Sequence, residues 1–378
     1  MFEQKAHRPT HATIDLENLG FNFRSVKQFI GEAVKFMAVV KANAYGHGSV
    51  ECARRLEAEG ADWFAVATLE EAVELRNAGV RAPILCLGGV WPGQAEEFIA
   101  LSVTPTLFSL EAAKALNSAA GSAGIVADVH LKVDTGMGRV GVMADELSDF
   151  LDRIANLENI RIDGLMTHLA AADLLDENAF TEAQIASLDR SLSILRSKGH
   201  EPTFVDAANS PGAIVHPSSR CNMVRLGGVL YGLGDDVLPK AAPKPELKAV
   251  MSLKTNVSQL KSIPTGGSVG YGRTFVASRE TSIATIPIGY HDGYRRALSG
   301  KAKAIVRGRF ANVIGRVSMD WCVLDVTDIS DVQIGDEVVL IGTADGLTIK
   351  AEDLAVMADS ISYEITCGIG SRVPRNYI

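Results

Sequence analysis

Residues 39–48 read VVKANAYGHG. An apolar run, Phe36 to Val40, delivers one lysine, Lys41, into a turn built of alanine, asparagine and glycine. A short apolar run bounded by turn residues reads as a buried strand. A lysine at its end either snorkels to solvent or is held where burial disfavours the ammonium form. In the second case the amine becomes a nucleophile or a Schiff-base former. What the other strand ends carry decides between the two.

On the N-terminal side, Asp15 to Gly31 predicts a helix, with Leu16, Leu19, Phe23, Val26 and Phe29 recurring at helical spacing. On the C-terminal side the alternation of strand and helix repeats. Strands are expected at Trp63–Ala67, Ile84–Leu87, Thr104–Phe108, Ile125–Asp134, Ile162–Thr167, Thr203–Asp206 and Asn222–Leu226. Helices are expected between them, the longest from Thr181 to Lys198. Counting the run before Lys41, eight short strands separated mainly by helices is the pattern of a (β/α)8 barrel, with an open doubly wound sheet as the alternative. Beyond the linker-like AAPKP (241–245) helical periodicity fades, and β-rich segments with glycine and proline turns follow, interrupted by one helix at Ala351–Ala358. The expected domains are therefore 1–240, a (β/α)8 barrel, and 241–378, a mainly β domain.

Apolar residues make up 47% of the 378-residue chain and charged residues 22%, enough for two packed cores. A net charge of −8 excludes a general nucleic-acid binder, and no apolar run reaches bilayer-spanning length. The five cysteines show no paired spacing, which points to reduced thiols in a cytoplasmic protein and to no zinc site. The first residues, MFEQKAHRPT, lack the apolar core of a signal peptide.

In such a barrel functional groups sit at the C-terminal ends of the strands, with phosphate often held after strands seven and eight. Strand one ends in Lys41. Strand five alternates, with apolar Val129, Leu131 and Val133 against Asp128, His130, Lys132 and Asp134. One of its faces is thus polar in a fold whose strands normally bury both. Lys132 and, past the turn, Arg139 are expected near the mouth. Strand six ends at His168, strand seven runs into Asn209 and Ser210, and strand eight carries Arg225, Gly227 and Gly228. Each residue alone has an ordinary explanation, such as a core histidine, a helix cap or a surface charge. Together they mark a site. A reactive lysine with a phosphate cradle, no P-loop and no metal constellation points to pyridoxal 5'-phosphate held as a Schiff base on Lys41. A Ser/His/Asp triad drawn from Ser210, His168 and Asp206 has no nucleophile-elbow sequence to support it.

The chain resembles alanine racemases, pyridoxal-phosphate enzymes of fold type III, over nearly its full length. The resemblance rests on VVKANAYGHG (39–48), HLKVDTGMGRVG (130–141), GLMTHLAAAD (164–173), AANSPG (207–212) and MVRLGGVLYGL (223–233). It continues through SVGYGRTF (268–275), IPIGYHDGYRRAL (286–298), GRVSMDW (315–321) and SYEITCGIGSRVPR (362–375). It implies racemisation of L- and D-alanine for peptidoglycan supply, and a head-to-tail homodimer with shared active sites. By resemblance, Lys41 holds the cofactor and is one catalytic base; Tyr271, from the partner chain, is the other. Tyr45, Ser210, Gly227, Gly228 and Tyr363 match the phosphate-binding group. Arg225 matches the arginine facing the pyridine nitrogen, with His168 between it and the tyrosine. Arg139 matches the arginine near the phenolic oxygen and substrate, and Lys132 a lysine that is often carbamylated. Met319 and Asp320 match substrate contacts from the partner chain. Leu226, Gly228, Ser318 and Trp321 depart from the commoner family pattern and bear on substrate range. A serine or broad-specificity racemase on the same scaffold is therefore the near alternative, and a non-catalytic pyridoxal-phosphate carrier the remote one.

Overall fold

The computed structural model describes residues 8–378. The chain divides into two compact units, Leu19–Leu247 and residues 8–18 with Lys248–Ile378. Among the described residues, no helix is long and apolar enough to cross a membrane.

The first unit is a parallel barrel. Its strands are Lys35–Val39, Trp63–Val66, Ile84–Cys86, Val103–Leu107, Ala127–Asp134, Ile160–Met166, Phe204–Asp206 and Met223–Leu226. They pair in sequence order, and the eighth pairs in parallel with the first, Met223 opposite Lys35. Between the seventh and eighth a side chain replaces the ladder. Asn222 accepts from the Val205 N–H at 2.7 Å and donates to the Thr203 carbonyl at 2.8 Å. The barrel is therefore nearly closed. The eight expected strands are all found, and the open sheet is excluded by the pairing of the eighth strand with the first.

Met37, Val39, Trp63, Ala65, Leu85, Met166 and Met223 fill the interior. Strand five explains its own alternation: Val129, Leu131 and Val133 are buried on one face, and His130, Lys132 and Asp134 are buried on the other. The polar face thus turns into the barrel. His130 packs between Trp63 and Phe204, ring centroids 5.3 and 5.8 Å away. Helices leave the strands through caps that spare orphan amides. Thr68 accepts from Glu71 N–H and Ser109 from Ala112 N–H.

The second unit is built on an antiparallel sheet, with the helices Ala351–Met357 and Ser362–Cys367. The expected division falls after residue 240, and the compact units divide between Leu247 and Lys248, with residues 8–18 on the β side. His11–Ile14 forms a strand that lies antiparallel to Met251–Asn256 and parallel to Arg375–Tyr377. Ala12 and Ile14 bury one face of it, and residues 8–18 belong to the β unit. Four alternating residues running straight into a helix carry too little pattern to be recognised from sequence.

Gly164 is the register partner of His130, and a Cβ at 164 would lie 2.4 Å from the imidazole Cγ and Cδ2. Gly164→Ala is expected to destabilise the protein by roughly 1–3 kcal/mol, because the ring is wedged between two aromatic neighbours and has nowhere to move. Urea unfolding of the variant checks this; a loss within experimental error would contradict the tight fit.

Candidate active site

The turn after the first barrel strand is strained. Ala42, Asn43, Ala44 and Tyr45 have φ of 53°, 54°, 52° and 55°, a left-handed turn made of L residues other than glycine. Such a conformation costs roughly 1–2 kcal/mol per residue, so surrounding bonds must impose it. Within the turn, Ala44 N–H donates to the Val40 carbonyl and Gly46 N–H to the Ala42 carbonyl. Asn43 accepts from Ser49 N–H at 2.8 Å. Glu71 accepts from Ala42 N–H and Ala67 N–H, both at 2.7 Å, and so ties the residue after Lys41 to the end of the second strand. Tyr231 donates to the Val39 carbonyl at 2.9 Å and lays its ring beside His47 and Tyr45. Lys41, half-buried, stands at the start of this clamped turn. Glu71 and Tyr231 were not among the sequence candidates; an acid on a helix face and a tyrosine in an apolar run look ordinary without the fold.

Across the barrel, Arg225 is 3% exposed and forms an ion pair with Asp206, itself fully buried. One Nη2 donates to the Thr167 carbonyl at 2.7 Å and lies 3.3 Å from His168 Nδ1. A guanidinium can only donate, so Nδ1 accepts and His168 carries its proton on Nε2. His168 is neutral, pushed down to about 2 by burial and then by Arg225, Lys132, Arg139 and Lys41. Burial, with Arg225 and Arg139 next, pulls Lys132 down to about 8. Asp134, buried by the fold, stays below the usual carboxylate range. Burial opposes its charge, but N–H groups of Gly136, Gly138, Arg139 and Met137 outweigh that. Lys41, Lys132, Arg139, His168 and Arg225 thus act on one another at the strand ends. Asp206, which sequence reading used only in the rejected triad, is the counter-ion of the group; an aspartate closing an apolar strand was its only signal.

The small residues after strands seven and eight meet Tyr45. Gly227 N–H donates to Ser210 Oγ at 3.0 Å, and a Cβ at 227 would lie 2.3 Å from Tyr45 Oη. The absent side chain leaves hydroxyls and backbone in a cradle that suits phosphate oxygens. Gly228 is buried beside it. Asn209 holds the frame: its Oδ1 caps the Gly212 N–H and its Nδ2 donates to the Leu169 carbonyl. Together with Lys41, Arg225, Lys132 and Arg139, which act on one another electrostatically, these groups fit pyridoxal phosphate: an amine able to react with its aldehyde and donors able to bind its phosphate.

Tyr271, Met319, Asp320 and Tyr363 belong to the β unit. Tyr271 opens a short turn and is 73% exposed. Met319 is 51% exposed, and Asp320 accepts from Arg372 at 2.8 Å. Tyr363 lies in the first turn of the helix Ser362–Cys367.

Family models described as alanine racemase, N-terminal domain, and alanine racemase, C-terminal domain, match residues 14–235 and 250–377. The alanine racemase of Geobacter sulfurreducens is 42% identical over 376 residues, covering 98% of this chain and 97% of the relative. Among solved structures, the alanine racemase of Clostridium difficile superposes with a TM-score of 0.91 at 36% identity, over 99% of this chain and 97% of that one. That of Bartonella henselae, described with covalently bound pyridoxal phosphate, gives 0.87 at 32% identity, over 98% and 99%.

His130 is fully buried, neither ring nitrogen has a hydrogen-bond partner, and burial followed by Arg225 pushes its pKa down to about 3 from 6.5. Between those values the unfolded chain binds the extra proton, so stability falls as pH drops below about 6.5. At pH 5 this one residue is expected to cost about 2 kcal/mol relative to pH 7. His130→Phe, which keeps the aromatic packing, should shrink the pH 5 to pH 7 difference in urea unfolding by that amount. An unchanged difference would refute the assignment.

Proposed function

The chain belongs to the alanine racemase family of isomerases, and from that premise we propose that it interconverts L- and D-alanine with pyridoxal 5'-phosphate bound covalently through Lys41. The observation that carries this reading is the placement of Lys41 at a barrel-strand end among Lys132, Arg139, His168 and Arg225. The cofactor, when bound, supplies an electron sink for the charge left at the substrate Cα after deprotonation.

The residues around it hold and move protons. Racemisation removes a proton from one face of Cα and supplies one to the other, which calls for two bases. Lys41 Nζ serves one face, and the partner subunit's Tyr271 the other, in a head-to-tail homodimer. High exposure of Tyr271 within its own unit supports a group presented to another chain. A phenol near its usual pKa of about 10 needs help at neutral pH. The Nε2–H of neutral His168 offers a donor to the phenolate, and Arg225 behind it adds positive charge. Arg225 also stays protonated, so it cannot accept a proton from the pyridine nitrogen and would disfavour a charged pyridinium beside it. Side reactions such as transamination are thereby suppressed.

Tyr45, Ser210, Gly227 and Gly228 would bind the phosphate, and Asn209 frames them. Arg139 faces the phenolic oxygen and the substrate; the partner's Met319 and the partner's Asp320 complete the substrate pocket. Lys132, pulled down to about 8, carries a neutral fraction able to add carbon dioxide and release a proton. The resulting carbamate is an anion suited to hold Arg139. The reaction fits a cytoplasmic supply of D-alanine for peptidoglycan. Trp321, 47% exposed beside Met319 and Asp320, favours testing serine and larger amino acids in the same assay.

Purified protein should be yellow and racemise alanine, and Lys41→Ala should be colourless and inactive; colour persisting in that variant would remove Lys41 from its role. Tyr271→Phe should keep the colour yet lower turnover by about 10²–10⁴-fold. Mixing the two inactive variants under subunit exchange should restore about one quarter of the sites, since half the dimers are mixed and each mixed dimer holds one intact site. No recovery would rule out shared sites.

A further inference from the structure

Asp292 is a fully buried carboxylate in the β unit. Arg8 pairs with it from one side, Gly289 N–H donates to its Oδ2 at 3.0 Å, and Arg372 grips its Oδ1 through Nε at 3.0 Å and Nη2 at 2.9 Å. The second proton of that same Nη2 goes elsewhere: it reaches Asp320 Oδ1 at 2.8 Å. One guanidinium thus joins a buried anion to a half-exposed one.

The backbone around Asp320 is fixed independently. Tyr290 N–H donates to the Ser318 carbonyl at 2.9 Å and His291 N–H to the Met319 carbonyl at 3.1 Å. Ser318 Oγ donates to the Trp321 carbonyl and accepts from Trp321 N–H. What remains free to turn is the Asp320 side chain, 44% exposed. A half-exposed carboxylate samples several rotamers unless a charge-assisted bond selects one.

We propose that Arg372 is a positioning residue for the substrate, using its anchor on Asp292 to hold the Asp320 carboxylate in one orientation. The proposal rests on the reading of Asp320 as a substrate contact. Lysine at 372 would keep the charge and the pairing with Asp292, but its single ammonium lacks the planar fork that serves two carboxylates at fixed angles.

The test is a double-mutant cycle on the holoenzyme, with KM and kcat for L-alanine and the thermal midpoint measured for each protein. Asp320→Asn and Arg372→Lys are each expected to raise KM about threefold to tenfold with a smaller change in kcat, and the double variant no further than the larger single effect. Arg372→Gln provides a second variant at the same position. Arg8→Gln, which loosens only the far side of Asp292, should lower the thermal midpoint and leave KM unchanged. Equal rises in KM for Arg8→Gln and Arg372→Lys would mean general loosening and overturn the proposal. So would an unchanged KM in Arg372→Lys and Arg372→Gln alongside a raised one in Asp320→Asn. An unchanged KM in Asp320→Asn overturns the substrate-contact reading itself, and the positioning role with it.

Discussion

A guanidinium held at 3% exposure inside a barrel has lost its hydration, and fixed groups have to replace it. For Arg225 these are the Asp206 carboxylate, the Thr167 and Ala207 carbonyls and the His168 ring. Much of the site follows from that requirement. Because Arg225 can only donate, it sets the His168 tautomer, and its charge adds to burial in keeping that ring neutral. The same charge, after burial, helps pull Lys132 down and keeps His130 unprotonated. A buried ion pair is no better for stability than packed apolar residues of similar volume. Its value lies in fixing orientation and charge where three strands end.

The second constraint is the left-handed turn after Lys41. Four residues in that region sum to roughly 4–8 kcal/mol of local cost on the per-residue scale, set against the bonds from Glu71, Asn43 and Tyr231. The result is a lysine whose direction is decided by its clamps and not by a flexible loop. A regular helix after the first strand would have sent the chain, and Tyr45, elsewhere. The Tyr45 ring reaches Gly227 only because the turn folds back, and Gly227 admits it only because no Cβ stands there.

Much of this was readable in the chain. Strand and helix alternation located all eight barrel strands, since each is a short apolar run between turn residues, and the polar face of strand five announced Lys132. Lys41, His168 and Arg225 became candidates because a basic residue at the end of a buried strand is anomalous. Glu71, Asp206 and Tyr231 escaped because each becomes meaningful only through a partner distant in sequence: Ala42 for Glu71, Arg225 for Asp206, Val39 for Tyr231. The strand His11–Ile14 escaped for a related reason, since its partners lie at the far end of the chain. Local pattern reports faces and ends, while long-range pairing is left to the fold.

The two units solve one physical problem with opposite signs. In the barrel a buried cation, Arg225, is balanced by an aspartate and passes its orientation outward to His168. In the β unit a buried anion, Asp292, is balanced by two arginines, and Arg372 passes that orientation outward to Asp320. In both, the buried charge is the fixed point because moving it would strand an unpaired ion, at a cost of several kcal/mol. The group one bond further out is more exposed, so it can meet a ligand while its direction is set from behind. The proposed two-base reaction would need this twice over. In the proposed reaction the two bases, Lys41 and Tyr271, would come from segments 230 residues apart, and each set would have to be rigid before the other arrives. A buried ion anchoring an exposed functional group supplies that rigidity within each unit separately, which is what an active site shared between chains would require.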